Sequence, residues 1–150
     1  MESDMGNRLQ YLTVDDWVLL QAKAARRTFK LGDEIIHQGA WGDRLYIIRR
    51  GEASVELAGT GSRAIVARLG PEDVCGDMAF LEQGKSTAAV IAADEEVEVD
   101  EINTQDLRGV LEAFPRLASR FYRSLALVLV RRLMVTSSEL AREMALRDRR

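Results

Sequence analysis

Cys75-Gly76-Asp77-Met78-Ala79-Phe80-Leu81-Glu82-Gln83-Gly84-Lys85-Ser86-Thr87-Ala88-Ala89-Val90 stands between two strand-like runs, and the reading of the chain turns on it. Gly76 permits a tight bend, and Asp77 to Leu81 has room for only about one helical turn. At the start of such a turn the backbone N–H groups point outward, where they attract an anion, phosphate above all. The same residues also fit a plain strand-to-turn junction, in which a glycine is followed by an acid and a hydrophobic run. The stretch alone does not choose between the two.

Outward from it, short β-type runs are punctuated by glycine: ARRTFK, EIIH, RLYIIRR, EASVELA and RAIVARL before it, TAAVIAA overlapping its end, and EVEVDEI after it. Short strands at that spacing predict a mainly β, α+β fold, an antiparallel roll or jelly roll over residues 25–103. Alternation is clearest in Ala53-Ser54-Val55-Glu56-Leu57 and in Val97 to Ile102, which predicts strands with one apolar face and one solvated, charged face.

Helical patterns flank the roll. Thr13-Val14-Asp15-Asp16 reads as a cap with acids in the first turn, followed by Trp17, Leu19, Leu20 and Ala22, which predicts a short amphipathic helix within an N-terminal segment, residues 1–24. Beyond Asn103-Thr104 the period turns helical to residue 150, with a break at Pro115. Leu117, Phe121, Leu125 and Val128 form one apolar stripe, and Tyr122, Ala126, Leu129 and Leu133 a second. One helix lying on its own roll needs one such stripe. The second implies another contact, either the same helix of a second subunit or the N-terminal helix of the same chain.

The bulk composition bounds the function. The chain has 150 residues, 47% of them hydrophobic, enough for one cored domain and short for two. Charged residues make up 30% and the formal net charge is -3, which favours neither disorder nor binding of nucleic acid by the whole chain. The segment from Arg131 to Arg150 is locally basic, with six arginines against three acids. Nothing in it reads as a recognition helix, so no direct nucleic-acid contact is expected. The N-terminus MESDMGNRLQ is polar, and no uninterrupted apolar run approaches the length of a membrane span. With Cys75 as the one cysteine no internal disulfide can form, and a reduced, cytoplasmic setting is expected. His37 is the only histidine, so histidine-clustered metal chemistry is not expected, nor are a cofactor or enzymatic activity. Trp17 and Trp41 read as packing or loop anchors.

The stretch from Gly32 to Val99 resembles the cyclic-nucleotide-binding domain family, in particular the sensor domains of bacterial transcription activators of the catabolite-activator and fumarate-nitrate-regulator type. Gly32, Ile35, Gly39, Asp43, Tyr46, Ile48 and Gly51 match the glycine-spaced first half of that family. Leu69-Gly70-Pro71 looks like its lead-in. Gly76, Ala79, Leu81, Ala88 and Val90 then agree with its phosphate-binding cassette, here residues 75–90. The resemblance implies a ligand site at Gly76, Asp77, Met78, Ala79, Lys85, Ser86, Thr87 and Ala88. Arg131-Arg132-Leu133-Met134-Val135-Thr136-Ser137 resembles the central helix of the activators, which implies that the Thr136 and Ser137 hydroxyls meet the base, supplied by two subunits of a homodimer. Read without the family, Thr136, Ser137 and Ser138 simply punctuate a long exposed helix.

Departures accompany the matches. The cassette arginine that clamps the phosphate falls on Ser86, the preceding proline on Lys85, and the ribose-binding glutamate on Asp77. A guanidinium offers a fork of donors, whereas a serine hydroxyl offers one neutral donor. That loss is equivalent to roughly ten- to a hundredfold in affinity. Lys85 is available as a point charge, and Asp77 keeps an acceptor one methylene shorter. The expected function is a non-enzymatic regulatory sensor of a cyclic nucleotide such as cAMP or cGMP, or of a related phosphate-bearing ligand, signalling through a C-terminal dimerisation helix. A ligand-free dimerisation or protein-interaction module and the sensor half of a transcription regulator are the rival readings.

Overall fold

A computed structural model describes residues 8–59 and 61–149. Residues 1–7 of the N-terminal segment and Arg150 of the basic tail lie outside the described residues. The elements run α1 (Val14–Gln21), β1 (Ala25–Lys30), β2 (Glu34–Ile36), β3 (Arg44–Arg50), β4 (Ala53–Ala58), β5 (Arg63–Leu69), β6 (Val74–Cys75), α2 (Asp77–Glu82), β7 (Ala89–Ala92), β8 (Glu96–Asn103), α3 (Thr104–Ala113) and α4 (Pro115–Asp148). The strands form two four-stranded antiparallel sheets, ordered β1-β8-β3-β6 and β2-β7-β4-β5. The expected β-roll with a short N-terminal and a long C-terminal helix is present.

Strand β3 shows why the roll holds together. Side chains alternate across a strand, so Tyr46 and Ile48 enter the core between the sheets while Leu45 and Ile47 enter a second core beneath the helices. All four are buried, which is why RLYIIRR reads as a continuous apolar run. The inner core takes Phe29, Val97 and Val99 from one sheet and Ile35, Leu69 and Val90 from the other. The outer core joins Leu45, Ile47, Val74 and Ile102 to Leu107 and Leu111 of α3 and to Leu117, Phe121 and Leu125 of α4.

The expectation of a solvated charged face on β4 and β8 needs correction. Asp100 is only 5% exposed, because Nε of Arg26 donates to it at 2.8 Å and Nε of Arg49 donates to its other oxygen. On β4, Ser54 is buried and donates to Glu56 at 2.7 Å, while Leu57 is exposed. The polar face of β8 is covered because two guanidiniums on neighbouring strands make burial of a carboxylate affordable.

The helices follow the sequence signals closely. Thr13 caps α1 reciprocally: the Asp16 N–H donates to the Thr13 hydroxyl at 3.1 Å and the Thr13 N–H donates to the Asp16 carboxylate at 3.0 Å. Pro115 opens α4 at its first turn, where its missing N–H costs nothing. The Leu117, Phe121, Leu125 and Val128 stripe is fully buried. The second stripe is not covered by α1: Tyr122 is 45% and Leu133 67% exposed. At 34 residues α4 is roughly 50 Å long, and its buried positions end at Val128. Among the described residues, no helix is long and apolar enough to cross a membrane.

The N-terminal segment is tied across α4. The Tyr11 N–H donates to the Ser124 hydroxyl at 3.0 Å, Arg131 donates to Gln10 at 2.9 Å, and Arg120 forks onto buried Asp16 at 2.6 and 2.8 Å. The Arg120 hydrogen bond holds the Asp16 carboxyl down at about 2, against an ordinary value of 3.8. Stability from this pair is therefore complete above the unfolded value and is lost as pH falls through the folded one. Asp16→Asn is expected to cost about 2 kcal/mol at neutral pH. In urea unfolding, the gap between the two proteins should close between about pH 4 and pH 2; a gap that persists at pH 2 would contradict the assignment.

Candidate functional site: the cassette and the helix above it

The cassette is built on a left-handed turn. Gly76 has φ +85° and caps α2, and a Cβ at that position would meet the Arg44 carbonyl oxygen at 2.7 Å, so only glycine fits. Helix α2 then runs six residues, from Asp77 to Glu82. Its back rests on Gly42, where an added Cβ would lie 2.2 Å from the Cβ of Ala79. Phe80 is buried against Phe121 of α4 in an edge-to-face contact, with ring centroids 6.1 Å apart, and the Arg108 guanidinium of α3 lies over the Phe80 ring.

The loop after α2 is fixed by backbone. The Gly39 N–H donates to the Ser86 carbonyl at 2.8 Å, the Ser86 N–H donates to Ala40 at 2.7 Å, and the Gly42 N–H donates to Gly84 at 3.0 Å. These bonds lay the β2–β3 connection along the cassette loop. Lys85 follows that connection: it bridges Trp41, and its Nζ sits 5.5 Å from the centroid of the exposed indole.

Asp77 is 1% exposed, and an ionised carboxylate so buried needs a partner. Arg132 supplies it from α4, 55 residues further along the chain: Nη1 lies 3.2 and 3.1 Å from the two carboxylate oxygens, and Nη2 donates to the Val74 carbonyl at 3.1 Å. Next to this pair the Cys75 thiol is pushed up to about 12, chiefly by burial and further by the Asp77 charge, which makes it a poor nucleophile.

The sequence-predicted residues are thus distributed unevenly. Gly76, Asp77, Ala79, Ser86 and Ala88 lie in or against the cassette, with Met78 and Thr87 exposed on it and Lys85 drawn onto Trp41. Thr136 and Ser137 are exposed on α4. Thr136 stands four residues beyond Arg132, hence on the same helix face one turn higher. A cavity of about 250 Å³ adjoins the cassette at Gly76 and Ser86. Of the predicted residues, only Gly76 and Ser86 line it, beside Phe29, Tyr46, Arg27 and Arg44. The last two guanidiniums both reach Glu101, at 2.8 and 3.3 Å.

Arg132 was not among the residues singled out from sequence. Its signal was available, since it precedes Thr136 by one turn within the quoted helix run. What the sequence does not display is that its partner lies 55 positions away. Among the described residues, no group of three or more His, Cys, Asp or Glu is placed to hold a metal ion.

Comparison with known proteins agrees with this architecture. A family model described as the cyclic nucleotide-binding domain matches residues 26–114. Cyclic GMP-binding protein C of Dictyostelium discoideum is 30% identical over 142 residues, which cover 89% of this chain and 5% of that protein. The cyclic AMP receptor protein of Thermus thermophilus is 31% identical over 118 residues, which cover 77% of this chain and 51% of the relative. The crystal structure of the Thermus thermophilus catabolite activator protein superposes with a TM-score of 0.73 at 27% identity, covering 87% of this chain and 59% of that one. The chain therefore spans about half the length, or less, of these curated relatives. The matched family model takes in the whole roll, the cassette and α3, and on that match the chain belongs to the cyclic nucleotide-binding domain family.

Proposed function

We propose that the chain is a single, non-enzymatic regulatory domain that binds a cyclic nucleotide, or a closely related phosphate-bearing molecule, at its cassette and signals through α4 as a homodimer. The observation that carries this reading is the bond between Asp77 and Arg132, because it ties the cassette to the helix that would transmit the signal. The phosphate would sit at the Gly76 turn near Lys85, Ser86 and Thr87, with Asp77 facing the ribose and Thr136 and Ser137 facing the base. Relatives named for binding cyclic GMP and cyclic AMP support the ligand class. A ligand acts here by favouring one of two positions of α4 over the other.

Dimerisation is supported by the free half of α4. Val130, Leu133, Ser137, Leu140 and Met144 recur at steps of three and four residues, the spacing of a two-stranded coiled-coil seam. The four apolar ones are 49% to 67% exposed in the protomer. Leucines at one seam position, a β-branched valine at the other and a single polar serine between them favour a parallel pair in one register. A cytoplasmic setting belongs to the same reading and is supported by the lone, buried Cys75 thiol.

The ligand-free module is favoured by one observation, Ser86 in the arginine's place. A thermal-shift panel of cAMP, cGMP and linear 5′-AMP separates the two readings. Ligand at about a hundred times its dissociation constant adds roughly 2.7 kcal/mol, a rise of several degrees in the midpoint for a domain this size. A rise selective for one cyclic nucleotide is expected, and a flat response at millimolar ligand would sink the sensor reading. For the dimer, Ser137→Cys places a single accessible thiol on the seam while Cys75 stays buried and protonated. Mild oxidation should give a disulfide-linked dimer on a non-reducing gel, whereas an exclusively monomeric band would rule out the parallel seam.

A further inference from the structure

We infer that Arg132 takes over the work of the absent cassette arginine, so that the cation meeting the ligand's phosphate is carried by α4 and not by the roll. The inference rests on the cyclic-nucleotide reading above and specifies how that site is charged. A cyclic phosphodiester brings one full negative charge into a site that already holds the buried carboxylate of Asp77. Two anions cannot share a poorly solvated turn without a cation between them. Within the cassette, residues 75–90, Lys85 is the sole lysine or arginine, and it is turned onto the Trp41 ring along the β2–β3 connection. The two roll arginines that line the adjoining cavity, Arg27 and Arg44, are both engaged by Glu101. Ser86 offers a hydroxyl and no charge.

Arg132 is placed differently. Its guanidinium already touches both oxygens of Asp77 and the Val74 carbonyl, on either side of the Gly76 turn, and its side chain is 30% exposed. The planar fork of a guanidinium suits it to two acids at once, as the compact ammonium of a lysine does not. Moving the cation from the loop to the helix has a mechanical consequence. Where the arginine belongs to the roll, phosphate can be held whatever the helix does. Here α4 must stay down for the phosphate charge to be met, and withdrawing α4 removes the cation, so ligand affinity and helix position become one equilibrium.

The test is a set of cAMP and cGMP titrations by calorimetry on the full chain, its Arg132→Gln, Lys85→Ala and Ser86→Arg variants, and the Arg132→Gln/Ser86→Arg double variant. Arg132→Gln should weaken binding by about ten- to a hundredfold, the effect of losing a charged hydrogen-bond donor. Lys85→Ala should change it far less, and Ser86→Arg should gain clearly more affinity in the Arg132→Gln background than in the wild type, a non-additivity that a merely structural role of Arg132 would not produce. If Arg132→Gln strands Asp77 and the protein fails to fold, Arg132→Lys keeps the charge and loses the fork. It should then weaken binding severalfold, again with a larger gain from Ser86→Arg than in the wild type. Equal affinity of the wild type and the Arg132 variants, or a larger loss at Lys85, overturns this inference alone. No binding of either nucleotide by the wild type overturns the sensor reading, and this inference falls with it.

Discussion

A carboxylate with 1% of its surface exposed cannot stand alone, and much of this molecule's arrangement answers that constraint at Asp77. Its partner is Arg132, and a guanidinium can reach the cassette only if α4 runs across the roll past Phe80. Leaving either member unpaired in such a place costs several kcal/mol, so cassette and helix are energetically one unit. The pair is flanked by the Phe80–Phe121 contact three helical turns earlier on α4, which fixes where the helix crosses. Beyond Arg132 the helix leaves the roll, with apolar side chains exposed along it.

The rest of the fold supplies the base for that crossing. Strand β3 serves two cores at once, one inside the roll and one under the helices, so the sheet that carries the cassette's β6 strand is pinned from both sides. The turn at Gly76 and the close approach of Gly42 to Ala79 seat α2 on that sheet. The Asp16–Arg120 fork and the Tyr11–Ser124 contact strap the N-terminal segment to the first half of α4, and Gln10 reaches on to Arg131. The helix is thus held at its beginning by buried stripe and strap, and beyond Val128 mainly by Arg132 and Arg131.

Much of this was legible in the sequence because it rests on local signals. Glycine-punctuated runs gave the strands, the Thr13 to Asp16 cap gave α1, and the Leu117 to Val128 stripe identified the face of α4 that is buried. The match of Gly76, Ala79, Leu81, Ala88 and Val90 to the family's cassette put a tight bend at Gly76, where the left-handed turn stands. What escaped depends on partners distant in sequence. Asp100 alternates as an outward residue on β8, and only the arginines of β1 and β3 explain its burial. Lys85 reads as a cation facing the ligand until Trp41, 44 positions earlier, is seen beside it. Arg132 sat unmarked within a run noted for its hydroxyls, because nothing local ties it to Asp77.

The coupling proposed through Asp77 and Arg132 requires the cassette and the far half of α4 to respond to ligand together. Hydrogen exchange followed by mass spectrometry, with and without saturating cyclic nucleotide, addresses it directly. Joint protection of the cassette, residues 76–90, and of α4 from residue 129 onward is the predicted result. Protection confined to the cassette, with α4 exchanging as before, would contradict that coupling.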